Sequence, residues 1–149
     1  MSEGPTVSGE LTFTRIFNAR PEVVFECMTT PSHLTHFWGP IGISTPLSGI
    51  IVEPKPGGRF ETLMVNDQSG EEYPMRGVFV EFDPPKKFSF TEAGVEGGMM
   101  TSIVFHDLGD GRTETVTHQT NVPPMLMSPE ARQGLESSFV KMDEYLERL

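Results

Sequence analysis

Residues 129–149 read PEARQGLESSFVKMDEYLERL, and this stretch decides the fold. Leu135, Phe139, Met142, Leu146 and Leu149 recur at the spacing of one helical face. Gln133, Glu136, Lys141, Glu144 and Arg148 fall mostly elsewhere on the helix. The segment follows a long series of strand-like runs with little other helix. A single amphipathic helix after an antiparallel series has one large apolar partner, the concave side of the sheet. A helix laid across a curved sheet seldom fills the space beneath it, so the pattern also predicts a cavity.

Working back from that helix, the runs alternate and the turns are tight. Leu11 to Phe17 alternates as a half-buried strand. Pro21 then suits the first turn of a helix through about Met28, and Thr30-Pro31-Ser32 restarts a second short helix from His33 to about Trp38. Gly49 to Glu53, Arg59 to Val65, Pro74 to Phe82, Lys87 to Glu92, Met99 to His106 and Arg112 to Asn121 read as strands. The breaks between them include Asp83-Pro84-Pro85, a bend at Gly94, Gly97 and Gly98, and Gly109-Asp110-Gly111. Strands joined this tightly pair antiparallel, without βαβ crossovers. The expected class is α+β: a curved antiparallel sheet of about six to seven strands, two short helices after the first strand, and a long C-terminal helix across the concave face. Residues 1–9 read as a flexible lead-in and 10–149 as one domain.

Composition bounds the function. The 149 residues carry a formal charge of −10, with 36% hydrophobic and 21% charged residues. Such an acidic surface argues against nucleic-acid or anionic-membrane partners, which select clustered Lys and Arg. No run approaches the roughly 20 apolar residues of a membrane span, and Met1 to Gly9 lacks the features of a secretory signal. The single cysteine, Cys27, fits a reducing compartment and reads as a buried, inert thiol. A cytoplasmic location is expected.

Landmarks along the chain resemble a known family. Arg15-x-Phe17-x-Ala19 before Val24-Phe25, Thr30-Pro31, and Phe37-Trp38-Gly39-Pro40 resemble the opening of START-like, SRPBCC helix-grip proteins. More narrowly, they resemble the branch related to the C-terminal domain of the activator of heat-shock-protein-90 ATPase. Gly57-Gly58-Arg59-Phe60, Gly77 with Glu81, Asp83-Pro84-Pro85, Gly111-x-Thr113 and Arg132-Gln133-Gly134-Leu135 continue the match over roughly residues 10–149. Phe37 and Leu135 stand where that family often has Trp. The resemblance implies a helix-grip fold. It also implies one of several functions: a carrier of hydrophobic ligands, a stress-linked protein, a polyketide cyclase or dehydratase, or a chaperone-interaction module. Fold does not choose among these.

The residues favour a small hydrophobic or aromatic molecule held between sheet and final helix. Alternation groups Phe13, Phe60, Thr62, Met64, Thr101, Ile103 and Phe105 as inward candidates, with Phe79 and Phe90 beside them. Met28, Trp38, Leu135, Phe139 and Met142 would close the volume from the helices. Unbranched methionines adapt to irregular guests, and Met125 and Met127 precede the helix as parts of a pocket mouth. The competing reading is a solid core built from the same side chains. Thr115 and Thr117 would add a hydroxyl wall if their face of the last strand is concave; the opposite face carries His118.

Candidates for general acid–base chemistry are His118 and Glu61, each only if it faces the cavity. His33 and His36 are three residues apart but have no third ligand at zinc spacing, so no metal is expected. No phosphate loop or dinucleotide fingerprint occurs, so no cofactor is expected. An exposed strand edge would offer a route to a homodimer.

Overall fold

The computed structural model of the chain describes residues 9–92 and 98–149, apart from the side chain of Met125. The readings of 1–8 as a lead-in, of Gly94 and Gly97 as a bend, and of Met125 as part of a mouth lie outside those residues. Strand β1 (Gly9–Phe17) leads to α1 (Pro21–Thr29) and the single turn α2 (Pro31–Leu34). Both helices open on proline, whose missing N–H and fixed φ suit a first turn. The short strands β2 (Ile43–Ser44) and β3 (Ile51–Val52) follow, then β4 (Arg59–Asn66), β5 (Glu72–Asp83), β6 (Lys87–Glu92), β7 (Met99–Asp107), β8 (Thr113–Val122) and the long helix α3 (Pro129–Glu147).

All strands pair antiparallel in one 8-stranded sheet of order β1-β8-β7-β6-β5-β4-β2, with β3 also on β4. The first strand thus lies beside the last, Phe13 opposite Thr117 and Arg15 opposite Thr115. The class and the helix on the sheet are those the periodicity implies. Two differences have local causes. β2 and β3 contain only two residues each, too few for alternation to show, and they raise the strand count. The expected helix from His33 to Trp38 is the shorter α2, after which the chain turns at Gly39 with φ +96°.

Helix α3 starts at Ser128, whose hydroxyl accepts the Ala131 N–H at 3.1 Å. Its buried face is Ser138, Phe139, Met142 and Tyr145, with Leu135 and Leu146 partly covered. Leu149 lies past the helix and is 62% exposed, so the last member of the sequence stripe belongs to solvent and Tyr145 takes its place.

The core has two parts. Toward the Phe105 end of β7, Phe25 of α1 packs on Phe88 and Phe105 at 5.6 and 5.1 Å between ring centroids, and Phe79 stacks on Phe60 at 5.2 Å. Toward the Met99 end, α3 and the 38–40 turn bridge the sheet without filling it.

Candidate functional site

Period-two alternation builds the floor of this second region. Phe88, Phe90 and Glu92 share the concave face of β6, and Met99, Thr101 and Ile103 that of β7. Thr117 and Gln119 of β8 and Leu11 and Phe13 of β1 complete it, because Leu11 pairs with Gln119 and Gln119 with Thr101. The roof comes from Ala131, Leu135, Phe139 and Met142 of α3 and from Phe37 to Pro40. Between them lies a cavity of about 250 Å³. An apolar cavity of about 150 Å³ can hold benzene, so the space suits a guest of about ten non-hydrogen atoms.

Of the side chains expected to line it, Phe13, Met28, Trp38, Met64, Phe90, Thr101, Ile103, Thr117, Leu135, Phe139 and Met142 are on the wall. Five are elsewhere. Phe60 and Phe79 are buried in the aromatic cluster, and Phe60 packs against Trp38 and Phe90, which do reach the wall. Phe105 lies under Phe25 at the other end of the sheet. Thr62 and Thr115 point inward but are buried away from the cavity, 2% and 1% exposed.

The threonine wall is therefore narrower than the sequence suggests. Thr113 donates to the Ala19 carbonyl at 2.7 Å and Thr115 to that of Arg15 at 3.2 Å, so both hydroxyls serve the backbone. Thr117 Oγ1 is buried and, among the described residues, has no hydrogen-bond partner. Gln119 donates from Nε2 to Thr101 Oγ1 at 3.3 Å, which leaves its carbonyl oxygen for other donors.

Neither acid–base candidate is on the wall. His118 faces outward, 3.2 Å from Glu10 and 2.9 Å from the Thr12 hydroxyl. Glu61 alternates with the buried Phe60 and Thr62 and so takes the other face of β4. The carboxyl that does line the cavity is Glu92, whose pKa burial raises. It continues the alternation of Phe88 and Phe90, so extending that pattern by one more step would have found it. Arg132 is the other ionisable residue on the wall among the described residues; its guanidinium lies 4.9 Å from the centre of the Phe13 ring.

The roof is fastened to its surroundings by polar contacts. Lys141 donates to the carbonyls of Gly39, Pro40 and Ile43 at 3.0, 3.3 and 3.2 Å. Arg15 of β1 pairs with Asp143, and His33 of α2 hydrogen-bonds Tyr145. His36 stacks on the same tyrosine at 4.8 Å. Cys27, 1% exposed, has its thiol pushed up to about 11 by burial and, secondarily, by Glu26.

No curated protein matches the chain. Solved structures do. A protein of Chromobacterium violaceum aligns with a TM-score of 0.83 at 20% identity, covering 91% of this chain and 96% of its own. One of Rhodobacter sphaeroides gives 0.83 at 21%, covering 98% and 97%. The AHSA1 protein of Silicibacter pomeroyi gives 0.77 at 21%, covering 93% and 98%. At these identities the likeness establishes the fold, the helix-grip type. The sequence profile for activator of Hsp90 ATPase homolog 1-like proteins matches residues 18–147, nearly the whole chain, and the protein belongs to that family.

Proposed function

We propose that this protein binds a small hydrophobic molecule between the sheet and α3. The observation that carries the reading is the cavity of about 250 Å³, walled mainly by aromatic, aliphatic and methionine side chains, with a few polar groups among them. Pockets of this composition bind by burying apolar surface and orient the guest through isolated polar contacts. Met28, Met64, Met99 and Met142 on the wall supply side chains that adapt to guests of different outline. A cytoplasmic setting is part of this proposal, supported by the lone buried thiol of Cys27. No helix among the described residues is long and apolar enough to cross a membrane.

The wall supplies its own reporter. Trp38 is the single tryptophan and lines the cavity. Titration with naphthalene is expected to change Trp38 fluorescence saturably, and Ala131→Phe, which places a ring in the roof, is expected to abolish the change. An unsaturable response, or one unaffected by Ala131→Phe in a folded variant, would reject the reading.

A further inference from the structure

We propose that the cavity selects an apolar organic cation, a protonated amine on a hydrophobic body, with Glu92 as its counter-charge. The inference rests on the ligand-binding reading and specifies the class of guest.

Glu92 is held in an unusual setting for a carboxylate. Its cross-strand neighbours are Gly77 on β5 and Met99 on β7. Gly77 has no side chain, and a Cβ there would come within 2.9 Å of the Phe60 and Thr91 carbonyl oxygens, so the backbone leaves no room for one. Met99 offers a thioether, which donates no hydrogen bond. Among the described residues none forms a salt bridge or hydrogen bond with the Glu92 carboxyl, and burial alone accounts for its raised pKa. An anion so placed is stabilised by an opposite charge that reaches it from within the cavity.

The remaining wall suits the same guest. Phe13, Phe37, Trp38, Phe90 and Phe139 line the space with rings, and aromatic faces attract ammonium groups. The carbonyl oxygen of Gln119 can accept its N–H groups. The protein's formal charge of −10 draws cations toward it.

Arg132 is the one other ionisable group on the described wall, and its ion-pair partner is Glu136, not Glu92. Its guanidinium is over Phe13 of β1 and 3.7 Å from Glu136. In the sheet, β8 and β7 separate β1 from β6, so Arg132 and Glu92 sit by different strands of the wall. An anionic guest would collect at Arg132, a cationic one at Glu92. The two can be told apart.

The test uses three probes with a common phenyl body: 3-phenylpropylamine, n-butylbenzene and 3-phenylpropanoate, each titrated against Trp38 fluorescence near neutral pH. The amine is expected to bind at least about tenfold more tightly than the hydrocarbon. Glu92→Gln should erase that preference, measured as the ratio of amine to hydrocarbon affinity, and a cooperative urea transition shows that the variant is folded. Acidification should erode the preference in the unmodified protein, because protonating Glu92 removes the counter-charge. Hydrocarbon binding without amine preference, a preference that survives Glu92→Gln, or tighter binding of the carboxylate would each overturn the inference and leave the cavity reading standing. Failure of every probe, the hydrocarbon included, would overturn both.

Discussion

Thr113, Thr115 and Thr117 lie on one face of one strand and are almost equally buried, yet their hydroxyls have different roles. Those of Thr113 and Thr115 close backbone carbonyls, while that of Thr117 is buried and, among the described residues, has no partner. Removing a satisfied buried hydroxyl leaves its acceptor stranded, whereas removing an unsatisfied one relieves a desolvation penalty. Thr113→Val is therefore expected to lower unfolding free energy by about 1–3 kcal/mol, and Thr117→Val to leave it unchanged or raise it by up to about 1 kcal/mol. Urea denaturation of the two variants measures the contrast; equal losses would mean that Thr117 is hydrogen-bonded after all. Cys27 gives a second residue-scale prediction. Its thiol titrates at about 11 in the fold against 9.0 ordinarily, so the unfolded chain loses its proton first. Stability from this group is whole below about pH 9 and is lost as pH rises toward about 11. Cys27→Ala should flatten the stability–pH curve in that window, read as the difference between the two proteins. The folded protein should also resist alkylation by iodoacetamide at neutral pH.

At the scale of elements, α3 is the roof of the cavity, and polar contacts tie it to β1, α2 and the 39–43 turn. Lys141 matters most here, because its three carbonyl acceptors belong to the 39–43 turn, and Gly39 and Pro40 are themselves on the wall. A partly buried ammonium spread over three carbonyls holds helix and turn at a fixed separation. Lys141→Met keeps most of the apolar stem and removes the donors. The expected cost is about 1–3 kcal/mol, together with faster amide exchange in the 39–43 turn than in the β7–β8 ladder. Uniform acceleration over the whole chain would show that Lys141 stabilises the fold without specifically closing the roof. This element also shows what periodicity can and cannot deliver. The stripe located the helix and named Leu135, Phe139 and Met142. It could not show that Leu149 falls past the last turn, or that Tyr145 turns inward, where its partner is His33 of α2. Glu92 was missed for a related reason: a charge ending an apolar alternation reads as a strand terminus, although its parity already placed it on the concave face.

At the scale of the whole molecule, the division between packed core and cavity follows from where the covering elements sit. The sheet offers the same alternating inner face at both ends. Phe25 of α1 fills one end against Phe82, Phe88 and Phe105, with centroid separations of 5.3, 5.6 and 5.1 Å. At the other end, among the described residues, the cover comes from α3 and the 37–40 segment, with Met28 of α1 and Leu126 also on the wall. Alternation along the strands could show which side chains point inward, and so it grouped Phe105 and Thr115 with Phe13 and Thr117. It could not show which of them lie beneath α1, since that is set by long-range packing. A cavity left in an otherwise dense interior forgoes contacts, and a guest restores them. Binding to the native state alone stabilises by about 2.7 kcal/mol at a hundredfold excess over the dissociation constant. For a chain near this length each kcal/mol shifts the midpoint by about 2–4 °C. A saturating apolar guest of about ten non-hydrogen atoms should therefore raise Tm by about 5–10 °C in calorimetry, with a negative heat-capacity change on binding. Ala131→Phe should lose that response, because its ring occupies the volume the guest needs. A Tm that rises equally in the variant would place the guest on the surface of the protein and outside the space beneath α3.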